Sequence, residues 1–140
     1  MNISVNFLAV LIAAVAAMAV GFLWYSQALF GKPWMKLMGY TAESMKGAQK
    51  EMGKTYGISF VLALVTAYVL SHVMGLSMNF FHYTGVSTGL TSAFWMWLGF
   101  VMPVQLTEVL FGRKVLNLFA INTGYQLASL LVMGIVLGLF

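Results

Sequence analysis

Five polar side chains stand inside otherwise apolar sequence and are the residues that could do chemistry: Gln105, Glu108, Asn122, Gln126 and His72. Glu108 is the only acidic residue within an apolar stretch, and an ionisable group inside a membrane is costly enough to mark a functional position by default. Four residues at 1.5 Å each put it about 6 Å along a helix from Gly112, shallow enough to pair with Arg113 or Lys32 at the interface. Gln105 lies one turn earlier on the same face. Asn122, Gln126 and Ser129 are spaced by four and three and share one helix face. Their polar groups need partners, either across to another helix or in a water-filled cavity. Tyr68, Ser71 and His72 are the expected partners.

Other chemistries are poorly supplied. His72 and His82 are the only histidines, and both aspartate and cysteine are absent. Catalytic zinc takes three protein ligands, so no metal is expected. No Ser-His-Asp set, phosphate-cradling glycine loop or carboxylate pair can be assembled. Neither an enzyme nor a cofactor is therefore expected. Phe80-Phe81-His82-Tyr83 reads as an aromatic belt at an outer interface.

The elements that position these groups follow from hydropathy. The chain has 140 residues, 61% of them hydrophobic and only 7% charged, with a mean hydropathy of +0.92. Soluble domains carry roughly 25% charged residues, so this composition describes an integral membrane protein. A helical span uses about 20 residues, and four such stretches occur, at about 7–29, 56–74, 88–111 and 115–139. The expected fold is all-α: one polytopic domain, a four-helix transmembrane bundle with a short amphipathic cytoplasmic helix between the first two spans.

Ala13, Ala17 and Gly21 recur at every fourth position and form a small-residue strip suited to helix contact. Gly134 and Gly138 make a GxxxG pair of the same kind. Trp24 and Tyr25 suit the headgroup boundary. Gly31, in the left-handed conformation, and Pro33 should end the first helix near Lys32. Pro103 frees the carbonyl of Gly99 and should bend the third span. Leu29-Phe30-Gly31-Lys32 and Leu110-Phe111-Gly112-Arg113 suggest a faint repeat at an offset of 81.

Every basic residue falls in the connection 32–54 or in the Gly112-Arg113-Lys114 turn, whereas Gly75 to Ser87 has none. Those two connections share one side, which the positive-inside rule makes cytoplasmic and which leaves both termini outside. The net charge of +4 thus orients helices, and no nucleic-acid partner is expected. So strong a bias also disfavours an antiparallel, dual-topology dimer; a parallel homo-oligomer is the expected assembly. Within 32–54, Thr41 is a plausible N-cap for a helix running to about Met52, with Glu43 in its first turn. Lys46, Lys50 and Lys54 would give it a basic face toward anionic lipid headgroups.

GFLWYSQALFGKPWMKLMG, Asn122-Thr-Gly-Tyr125-Gln126 and the closing LLVMGIVLG resemble the bacterial membrane family known as domain of unknown function seventeen sixty-one. The resemblance covers nearly the whole chain. It implies a four-span protein of the bacterial inner membrane and carries over no catalytic or binding residue. Family members often have proline after Trp-Tyr-Ser, where this chain has Gln27. The expected role is a transporter or channel for a small solute or ion, with a structural, accessory or lipid-binding bundle as the alternative. The first predicts that the polar groups converge on one cavity, the second that interhelical bonds saturate them.

Overall fold

The computed structural model describes residues 3–48 and 51–140. Its helices are α1 (Phe7–Trp24), α2 (Gly31–Met38), α3 (Ala42–Ala48), α4 (Met52–Phe81), α5 (Gly85–Met96), α6 (Met102–Gly112) and α7 (Leu116–Leu139), with a π-helical turn at Trp97–Val101 joining α5 to α6. No strand occurs among the described residues. Phe7–Trp24, Met52–Phe81, Gly85–Gly112 and Leu116–Leu139 are long and apolar enough to cross a membrane. The protein is an all-α membrane bundle of four spans.

Small side chains of α1 pack at its centre, beside Leu70, Met74 and Met133. Ala9, Ala13, Ala14 and Ala17 of α1 are buried, whereas Leu8, Leu11, Ile12 and Val15 of the same helix point outward. This inside-out distribution is what lipid permits, because a large apolar side chain loses nothing by facing hydrocarbon while small ones let helices approach. The expected strip on α1 is therefore a packing face, against α4 on one side and α7 on the other. Asn6 starts the helix, its Oδ1 accepting from the amides of Leu8 (3.1 Å) and Ala9 (3.2 Å).

The glycine pair of α7 is used within the chain. Gly134 lies against Gly89 of α5, and Gly138 against Gly85. A Cβ at Gly138 would meet the Gly85 carbonyl oxygen at 2.7 Å, and one at Gly89 would collide with the Gly134 carbonyl. Two antiparallel glycine ridges thus bring α5 and α7 into backbone contact. At this end of the bundle Ser4, Val5, Leu137 and Phe140 surround a small recess.

Three expected boundaries move. The first span ends at Trp24, not Leu29, because the chain breaks at Tyr25–Phe30, and Gly31 begins α2 instead of closing α1. A Cβ at Gly31 would collide with the Tyr25 carbonyl and lie 2.7 Å from that of Ser26, so this glycine is required by close approach. The left-handed cap is Gly39 (φ 74°), which ends α2. Pro33 sits in the first turn of α2, where a missing amide hydrogen costs nothing. The second span extends to Phe81 and α5 starts at Gly85, leaving His82–Thr84 as the connection where a longer loop was expected. The faint repeat also fails at its anchor, since Gly31 opens a helix and Gly112 closes one.

Candidate solute-binding cavity

Pro103 is the second residue of α6 and cannot donate to the Gly99 carbonyl. The preceding turn widens to the π-helical form, one of the identifiable causes of a bend. Trp97, in that turn, donates its indole N–H to the Thr123 carbonyl (2.9 Å) and hydroxyl (3.1 Å) of α7. Beyond this anchor α6 packs much less against α7 than α5 does. The separation opens a cavity of about 820 Å³ at the basic end of the bundle.

Each wall has its own register. From α1 come Met18 and, a turn later, Gly21 and Phe22; from the start of α4 come Glu51, Thr55 and Ser59, four apart; from α6 come Gln105 and Glu108; from α7 come Leu118, Asn122 and Tyr125. Tyr25, Trp34, Met38, Tyr40 and Lys114 complete it from the connections and α2.

The break after α1 aims two side chains inward. Trp24 Nε1 donates to the Ile121 carbonyl (3.0 Å), and the Tyr25 hydroxyl donates to Asn122 Oδ1 (2.8 Å). These residues tie α1 to α7. Tyr25 also contacts Trp34 and Tyr125 edge to face, with centroids 5.4 and 5.3 Å apart.

The expected site residues divide. Gln105, Glu108 and Asn122 line the cavity together. Gln105 Oε1 is buried with no hydrogen-bond partner, and Glu108 is exposed on the cavity side. Of the basic residues expected near Glu108, neither Arg113 nor Lys32 shares the lining; Lys114 does. Gln126 is half-buried on α7 away from this lining, and His72 stands toward the opposite end, edge-on to Tyr68 at 4.7 Å. Asn122 therefore bonds Tyr25 and not the expected Tyr68, Ser71 or His72.

Lys46 is exposed on α3 and Lys54 on the first turn of α4; Lys50 lies outside the described residues. Thr41 and Ser44 bond reciprocally, each amide donating to the other's hydroxyl (2.8 and 3.2 Å), which caps α3. Among the described residues no three His, Cys, Asp or Glu side chains are placed to hold a metal.

Sequence reasoning missed the aromatic wall, Glu51 and Lys114. In the sequence Tyr25 reads as a headgroup anchor and Lys114 as a topology signal, and nothing there singles out Glu51 on its own. The available signal was the four-residue spacing of Glu51, Thr55 and Ser59, a polar face at the start of the second span.

Fold and site together define a four-span helical membrane bundle with a polar and aromatic cavity at its basic end. The chain belongs to the family described as Protein of unknown function (DUF1761), whose profile matches residues 8–138. No curated protein and no solved structure matches it.

Proposed function

We propose that the protein is a carrier for a small solute or ion in the bacterial inner membrane, with its cavity facing the cytoplasm and both termini outside. The observation that supports this reading is the meeting of Gln105, Glu108 and Asn122 in one cavity of about 820 Å³, within the size range of small-molecule sites. A carrier suits the shape better than an open channel. The apolar core of Ala13, Ala17, Ala67, Leu70 and Met133 separates this cavity from the smaller recess at the terminal end. The seven basic residues on one side orient the bundle.

Lys46 and Lys54 add attraction to anionic headgroups, worth about 1 kcal/mol per residue near the surface. A parallel homo-oligomer remains the proposed assembly, through lipid-facing surfaces other than Gly134 and Gly138, which are consumed within the subunit. Native mass spectrometry from nanodiscs reads that number directly.

The second reading, a non-transporting structural or lipid-binding bundle, is favoured by one observation: Asn122 Oδ1 already accepts a bond from Tyr25 across to another part of the chain. Flux into liposomes separates the two. Under the carrier reading Glu108→Gln changes flux; under the other it alters stability alone. Flux equal to that of empty vesicles across varied ions and pH would remove the carrier reading.

A further inference from the structure

Aromatic rings and hydrogen-bond acceptors line one volume. Tyr125, Tyr25, Trp34 and Tyr40 form a chain of rings with successive centroids 5.3, 5.4 and 5.4 Å apart, and all four line it. Glu51 and Glu108 line the same space, with Lys114 to offset one of the two carboxylates. Gln105 Oε1 adds a buried carbonyl oxygen that no donor in the protein reaches.

Each group asks for the same ligand chemistry. Aromatic faces are negative and attract a cation, most strongly at tryptophan. Carboxylates and an amide carbonyl accept N–H bonds. Among the charges that line the cavity itself, two carboxylates against Lys114 leave one negative charge, which together with the rings favours a cation over an anion in direct contact. A neutral apolar solute would leave the Gln105 oxygen buried and unanswered, which costs free energy.

We infer that the cavity binds an organic monocation carrying N–H, an ammonium group on an apolar or aromatic body. The Glu108 carboxylate accepts its N–H bond, the Gln105 side chain turns its buried Oε1 toward the ammonium on binding, and the rings of Trp34 and Tyr25 hold its body. This names the substrate class of the proposed carrier and rests on that reading of the cavity. A free amine and the ethanolamine headgroup of a lipid present the same chemistry, and the test separates them.

The test uses the full chain in nanodiscs of phosphatidylglycerol, titrated calorimetrically with phenethylammonium, its N-trimethyl analogue and phenylpropionate. Phenethylammonium is expected to bind, the trimethyl analogue about tenfold more weakly because it cannot donate to Gln105, and phenylpropionate not at all. Glu108→Gln, Gln105→Leu and Trp34→Leu should each weaken phenethylammonium by about tenfold, while Val61→Leu on the lipid face leaves it unchanged. Adding phosphatidylethanolamine to the nanodiscs assigns the source: competition with phenethylammonium means the headgroup is the ligand, and no competition means the free amine. Preference for phenylpropionate, or binding unchanged in all three cavity variants, overturns the inference while flux would still stand as evidence for a carrier. Absence of binding by every probe overturns the inference whether or not flux is seen, and absence of flux as well removes the carrier reading with it.

Discussion

The Tyr25 hydroxyl donates to Asn122 Oδ1 over 2.8 Å, joining the break after α1 to the second turn of the last helix. Two residues 97 apart in sequence thereby fix the wall of the cavity. Tyr25→Phe removes the donor and strands a partly buried carbonyl, at an expected cost of about 1 kcal/mol. Adding Asn122→Leu should recover most of it, since replacing both partners leaves nothing unsatisfied. Unfolding in mixed micelles measures both; equal costs that simply add would mean the bond contributes nothing.

How far this arrangement was legible in the chain differs by element. Four spans and their basic-side connections could be read because hydropathy and charge are summed over many residues. The end of α1 could not, since Tyr25 to Phe30 is apolar enough to continue a span and the break depends on Gly31 packing against carbonyls six and five residues earlier. Spacing placed Asn122 on a polar face but could not say which helix that face meets. The same limit hid the aromatic wall: Tyr25, Trp34, Tyr40 and Tyr125 come from four separate parts of the chain, and only the fold makes them neighbours.

The glycine ridge gives a sharper steric prediction. Gly89→Ala puts a methyl group into the backbone of Gly134, and overpacking of this kind costs about 1–3 kcal/mol even where the structure can shift. Gly57, on the outer side of α4, has no neighbouring atom within 4 Å of such a methyl. Gly57→Ala should therefore be neutral or slightly stabilising, as alanine is the better helix former. Thermal aggregation of the two variants in detergent compares them directly; similar melting points would contradict the close α5–α7 contact.

Gln105 predicts a trade between stability and function. Its buried oxygen has no partner, so Gln105→Leu removes an unsatisfied group and should stabilise the bundle by about 1 kcal/mol. The same change deletes an acceptor from the cavity and should lower flux. A structural amide would behave in the opposite way, losing stability with no loss of transport, so paired melting and flux measurements distinguish the roles.

Accessibility tests the cavity and the orientation together. The chain has no cysteine, so a single introduced thiol reports without background. Glu108→Cys sits on an exposed position lining the cavity, Lys54→Cys on the same end of the bundle, His82→Cys in the opposite connection, and Ala13→Cys in the core at 0% exposure. A membrane-impermeant maleimide, applied separately to intact cells and to inverted vesicles, should label positions 54 and 108 from the cytoplasmic side, position 82 from outside, and position 13 from neither. Water must reach Glu108 for this result, because maleimide needs a hydrated thiolate. Labelling of position 108 from the side that labels 82 would place the cavity on the wrong face. Labelling of 82 from the cytoplasm would reverse the orientation drawn from the lysines, while leaving the cavity itself intact.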